Sequence, residues 1–311
     1  MCAGVPQHRL SSAESAPRKR VALSADIDLT TPGLLGLPLG WLVVFFLVPI
    51  GIVGAYSLDA LHLSITPGPH QVTLQAWHDF LHSSAYLGLF WKSVKMSLIV
   101  SAFVVALAYP LAYYLALSGT KRKYVPLLLL IAPFLTSCLL RVLAWKVLLG
   151  DEGPINTFLF WTGLRSPDHP LTLIDTRFAV MLVLGYIWLP FVALPIFVSL
   201  ESLDRRLLEA ASDLGASRLQ AFRRVTLPLS APGVFAAFLF VFIPTLGEFV
   251  TPSLVGGTSG YMYGNQIVEL FQTGFPDWET GSVLALFLLG VVALLTVVFA
   301  RFLQPQQVAA D

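Results

Sequence analysis

Charge is what this sequence has least of. Of 311 residues only 12% are Asp, Glu, Lys or Arg, while 56% are apolar; a soluble globular domain carries about a quarter charged residues. That shortage, with a mean hydropathy of +0.76, excludes a soluble globular chain, and the apolar content excludes intrinsic disorder. Two cysteines, Cys2 and Cys138, are too few for a disulfide scaffold. One falls in a polar tail and the other in an apolar run, so they do not pair, and Cys138 reads as small apolar filling. A formal net charge of +1 gives no reason to expect nucleic-acid binding.

Several motifs are also missing. There is no G-x-x-x-x-G-K-[ST] loop to cradle a nucleotide, and no H-E-x-x-H or G-x-S-x-G to suggest an intramembrane hydrolase. No internal repeat is evident, which weighs against a carrier built from paired repeats. His78 and His82 stand four residues apart, but only Asp79 is near enough to be a third ligand. They read as an exposed loop pair, and no metal site or bound cofactor is expected.

What the sequence does have is long apolar runs, with 23 Gly and 21 Pro. That Gly and Pro content is too high for a coiled coil but suits broken transmembrane helices. Six runs reach the roughly 20 residues that cross a bilayer as helix: 34–58, 90–117, 124–149, 178–200, 231–255 and 281–303. The fold class expected is all-α, a polytopic membrane protein. Residues 1–33, with Arg18-Lys19-Arg20, read as a retained N-terminal tail without a signal peptide, 34–303 as the membrane domain, and 304–311 as a C-terminal tail.

Basic residues orient the spans. With the N-terminus inside, the inner segments carry 13 Lys/Arg, including Lys121-Arg122-Lys123, five in 201–230 and Arg301; the outer segments carry one, Arg165. Basic residues concentrate on the cytoplasmic side, so both termini are expected there. The outer segments hold nine Asp/Glu, among them Glu269, Asp277 and Glu279. These form either a solvated loop surface or a face that meets something cationic.

The inner segment 201–230 is the most informative. Asp204 suits a helix N-cap, and Leu207, Ala210, Ala211 and Leu214 then form one apolar stripe. Arg205, Arg206, Glu209, Ser212 and Asp213 take the other face. Gly215 ends the helix in a left-handed turn. A second amphipathic piece runs from Ser217 to Val225, and Leu227-Pro228 leads into the fifth span. The spacing predicts a helix–turn–helix with a stripe to dock on a partner, or a helix lying on lipid.

Glu209-Ala210-Ala211, Gly215 and Val225-x-Leu227-Pro228 resemble the EAA loop of ABC-importer permeases, E-A-A-x3-G-x9-I-x-L-P, with Val225 in place of Ile. Pro133-Phe134, Thr136-Ser137, Leu140-Arg141 and Ala144-Trp145 resemble the third span of spermidine/putrescine-type permeases. Gly247-Glu248-Phe249-Val250, Pro252, Leu254, Gly256-Gly257, Asn265, Phe271, Asp277-Trp278 and Gly281 resemble later parts of the same family, although Glu279 stands where proline is common. The long tail and the outer loop after the first span are similar to the first of that family's two permease subunits.

The resemblance implies a type I importer permease in a bacterial inner membrane. It would form a heterodimer with a second permease, bind two ATPase subunits that hold ATP and magnesium, and receive polyamine from an extracytoplasmic binding protein. Ferric iron, sulfate, phosphonate or opine are alternative cargoes. Glu209, Ala210, Ala211, Gly215, Leu227 and Pro228 would couple to the ATPase, and Asp277, Trp278 and Glu279 would meet the binding protein. An ion-coupled carrier is the rival class, with Glu248 its sole carboxylate well inside a span.

Glu248 and Arg141 each fall 18 residues into spans running the same way, so they share a depth. An acidic residue in a span is functional by default. Glu248 either pairs with Arg141 or faces the pathway, with Trp145 or Tyr186 offering aromatic faces to a passing ammonium.

Overall fold

The computed structural model describes residues 30–59, 72–117, 124–166, 168–272 and 277–303. Among them the chain is helical, without strands. In order come α1 (Thr30–Ser57), α2 (Gln75–His82), α3 (Ser84–Leu117), α4 (Tyr124–Ile131), a 3₁₀ turn (Ala132–Leu135), α5 (Cys138–Leu149), α6 (Pro154–Trp161) and α7 (Arg177–Glu201). Then follow α8 (Arg205–Asp213), α9 (Arg218–Ala221), a π turn (Phe222–Thr226), α10 (Leu227–Leu246), α11 (Val250–Val255), α12 (Gly257–Gly260), α13 (Tyr263–Gln272) and α14 (Trp278–Leu303). The chain divides into two units, residues 1–49 and 50–311. In the first, the rings of Trp41 and Phe45 stack at 4.1 Å on α1.

Among the described residues, five helices are long and apolar enough to cross a membrane, and a sixth span results if Leu128–Leu135 and Cys138–Trp161 count as one broken span. The core of the second unit is α7 packed along α3 and α10. Its cause is a stripe of small residues: Ser93, Ser97, Ser101, Val104, Ala108, Ala112 and Ala116 recur at three- and four-residue steps and are buried. Lipid is as apolar as leucine, so spans associate through close van der Waals packing, which small residues permit. Val180, Val183, Leu184, Ile196 and Leu200 of α7 and Ala237 and Val241 of α10 complete that packing.

The third span departs from the straight helix expected over 124–149. It bends by 94° between its two halves. Pro133 supplies no amide hydrogen and disfavours helix in the residue before it, and the hydroxyl of Thr136 donates to the Pro133 carbonyl at 2.6 Å, closing the turn. Counting residues along a straight helix therefore gives Arg141 no depth in common with Glu248.

The fifth span is displaced toward the N-terminus. It runs continuously over Arg218–Leu246, so the second amphipathic piece is the start of the span and no separate interfacial helix. Glu248 lies beyond its end, between α10 and α11. Within the outer segment expected over 256–280, Gly260, Met262, Tyr263, Gly264 and Asn265 are buried, so that segment is not solvated throughout.

Two smaller expectations are also corrected. Cys138 is exposed, not core filling. His78 and His82 lie on α2 with rings stacked at 4.1 Å, and His82 Nδ1 is 2.8 Å from the His78 carbonyl. The tail 1–29, Lys121-Arg122-Lys123 and 304–311 lie outside the described residues.

Candidate functional site: the loop between α7 and α10 and the break at Glu248

The loop between α7 and α10 follows its local sequence closely. Asp204 accepts the Arg206 amide at 3.0 Å and caps α8. At the other end Gly215 has φ +81°. Its amide donates to the Ser212 carbonyl at 2.9 Å, and the Ala216 amide donates to the Ala211 carbonyl at 3.0 Å. This pair of bonds is the Schellman arrangement, which satisfies carbonyls that a helix end leaves open. A Cβ at Gly215 would meet no atom within 4 Å, so the backbone angle alone demands glycine. Ser217 and Gln220 then cap α9 reciprocally.

The stripe on α8 is left uncovered by its own chain. Leu207 is 47% exposed and Leu214 89%; Glu209 and Ala210 are exposed and Ala211 half-buried. Beside it Leu219, Gln220, Arg223 and Arg224 line a cavity of about 440 Å³. Leu227 and Pro228 are exposed just beyond the π turn. Pro228 cannot donate to the carbonyl four residues back and its ring crowds that carbonyl; the Leu227 amide reaches instead to Phe222, which widens the turn. Arg205, expected on the solvent face, reaches α3 and donates through Nη2 to the Ala116 carbonyl at 3.3 Å.

At the other end of the spans, Glu248 Oε1 accepts the amides of Val250 at 3.0 Å and Thr251 at 3.1 Å, capping α11. Gly264 packs beneath: a Cβ there would come within 2.5 Å of the Gly247 carbonyl oxygen and 2.7 Å of that of Glu248. Asn265 makes three hydrogen bonds, two of them to the same segment. Its Nδ2 donates to the Phe249 carbonyl at 3.0 Å and to Ser253 Oγ at 2.6 Å, and its Oδ1 accepts the Met262 amide at 3.1 Å. Nearby, burial and the hydrogen bond to Glu269 hold the Tyr261 phenol above its ordinary pKa.

Arg141 and Glu248 form no ion pair among the described residues. The Arg141 guanidinium, 7% exposed, lies over the Phe134 ring at 5.6 Å, and its Nε has no hydrogen-bond partner there. The other two pathway candidates do come together, with Trp145 and Tyr186 edge to face at 5.5 Å. The helix that Glu248 caps, α11, packs against α5, which carries Arg141 and Trp145, and against α7, which carries Tyr186.

In the trio Asp277, Trp278 and Glu279, the first two have local structural roles. Asp277 accepts the Thr280 amide at 2.9 Å, and Trp278 packs edge to face with Phe271 at 5.3 Å and tilted on Tyr56 at 5.5 Å. Glu279 lies in the first turn of α14. Neither Gly264 nor the link from Arg205 to α3 is signalled by a sequence pattern.

Comparison with known proteins accords with this geometry. Residues 97–308 match the family described as binding-protein-dependent transport system inner membrane component. The spermidine/putrescine transport system permease protein PotB of Escherichia coli (strain K12) is 37% identical over 266 residues, 84% of this chain and 94% of that protein. PotB of Haemophilus influenzae (strain ATCC 51907 / DSM 11121 / KW20 / Rd) is 36% identical over 264 residues, 84% of this chain and 90% of that protein. A bacterial ABC transporter involved in import of alginate shares the fold, with TM-score 0.63 at 17% identity over 90% of this chain and 98% of that one. The chain belongs to the binding-protein-dependent inner membrane permease family; it is a multi-pass inner-membrane protein of the ABC-importer permease fold.

Proposed function

We propose that this chain is one of two different permease subunits in an ATP-driven importer of polyamines, with both termini in the cytoplasm. The observation that carries the substrate class is the 37% identity to a spermidine/putrescine permease across 84% of the chain. In this reading two copies of an ATPase hold ATP and magnesium, and one of them seats α8 through Glu209, Ala210, Ala211 and Gly215, flanked by Leu227 and Pro228. Nucleotide closure moves α8 and with it the spans, so the site is exposed first outside and then inside. The chain itself forms and breaks no covalent bond and holds no cofactor.

Glu248 offers its carboxylate to a passing ammonium near the Trp145–Tyr186 pair, whose faces attract a cation. One oxygen is already fixed by two amides, which orients the other without further ordering cost. Arg141, lying against Phe134 at the bend, holds the break beside that route. Asp277, Trp278 and Glu279 lie on the outer side, where a substrate-loaded binding protein would dock.

Uptake of labelled spermidine, putrescine and ferric iron by cells with and without this chain tests the proposal. Loss of polyamine uptake alone supports it. Loss of iron uptake with polyamine uptake intact overturns the substrate class.

A further inference from the structure

The coupling loop is joined to α3 on both sides of the Gly215 turn. Before the turn, Arg205 places a cation at the C-terminal end of α3, donating to the Ala116 carbonyl. Such carbonyls lack partners within their own helix, and a positive charge there opposes the helix dipole.

After the turn, Phe222 sets its ring edge to face with Tyr113 at 5.4 Å and Tyr109 at 5.9 Å. These tyrosines are one helical turn apart on α3, with rings 6.5 Å from each other. The same Tyr109 hydroxyl lies 2.9 Å from Ser230 Oγ on α10, and Ser230 donates onward to the Leu227 carbonyl at 3.2 Å. Phe222 opens the π turn, a distortion frequently found at functional positions in helices. Among the described residues, α8 packs mainly on the short segment of α9 and the π turn. A displacement of α8 can therefore reach α3 through Arg205 and Phe222, and α3 in turn packs against α7.

We infer that Arg205 and Phe222 are positioning residues that transmit movement of α8 to α3. This rests on the reading of α8 as the coupling helix, and deepens it. Neither residue belongs to the uncovered Leu207–Leu214 stripe, so docking and transmission are separable.

The test uses the whole importer (both permeases, the ATPase and the binding protein) in liposomes with labelled spermidine. Arg205→Ala, Phe222→Ala and Phe222→Tyr are compared with Ala211→Asp, which alters the stripe itself. Arg205→Ala and Phe222→Ala should keep the ATPase bound in wild-type proportion and preserve its unstimulated hydrolysis. Stimulation by loaded binding protein and spermidine uptake should fall at least tenfold, with Phe222→Tyr close to wild type. Wild-type stimulation and uptake in both alanine variants, with Ala211→Asp inactive, overturns the inference alone. So does loss of bound ATPase from both, which would make these residues part of the docking face. If Phe222→Ala does not insert, Arg205→Ala at the exposed surface decides the matter. Full transport by Ala211→Asp overturns the coupling reading beneath it.

Discussion

The amide of Ala216 donates to the carbonyl of Ala211 at 3.0 Å across Gly215, and this bond fixes where α8 ends and how the chain leaves it. Gly215→Val places a β-branched residue at φ +81°, a cost of roughly 1–2 kcal/mol that the chain relieves by re-aiming α8. The expected outcome is an inserted protein with the ATPase lost or reduced on co-purification and uptake abolished. Wild-type assembly and uptake would show that the angle does not matter.

Gly264 against the carbonyls of Gly247 and Glu248 makes a second test, of the break at Glu248. Gly264→Ala forces two backbone segments apart, and overpacking of this kind costs roughly 1–3 kcal/mol. The solubilised protein should melt at a lower temperature than wild type. An unchanged melting curve would mean that α13 can withdraw from the break freely.

Glu248→Gln keeps an oxygen for the Val250 and Thr251 amides and removes only the charge. Uptake of spermidine should fall while expression and ATPase assembly hold. Glu248→Ala also loses the cap, which is worth about 0.5–2 kcal/mol, and should lower stability as well. Intact uptake in Glu248→Gln would reduce the residue to a capping role.

Neutralising the outer acids as Asp277→Asn and Glu279→Gln retains a capping side chain at position 277, since Asn caps as well as Asp. Binding protein should associate several-fold more weakly with the importer, and that difference should shrink as salt rises, because surface charges are screened beyond about 8 Å at physiological ionic strength. Equal association at every salt concentration would leave these acids as solvated surface.

The spans and the capped helix α8 were legible because both follow local rules. A bilayer demands about 20 apolar residues wherever it is crossed, and Asp204 and Gly215 announce the ends of α8 by cap chemistry alone. The bend in the third span was less plain, since 124–149 is almost unbroken in its apolar character. Its signals were Pro133 and the polar pair Thr136-Ser137. The segment 256–280 reads as an outer loop because it is rich in glycine and polar side chains; residues 262–265 within it are buried, and Asn265 and backbone groups there satisfy one another. Contacts such as Arg205 to Ala116, 89 residues apart, leave no periodic trace in the sequence at all.

Reconstituted transport tests the central claim most directly. Liposomes carrying this chain and its partner permease, with loaded binding protein outside, are filled with ATP and magnesium, and labelled spermidine is followed with and without the ATPase subunits. Uptake is expected only when ATPase, ATP and binding protein are all present, with unlabelled putrescine competing. Spermidine accumulation by the permeases alone, driven by an ion gradient, would contradict the account.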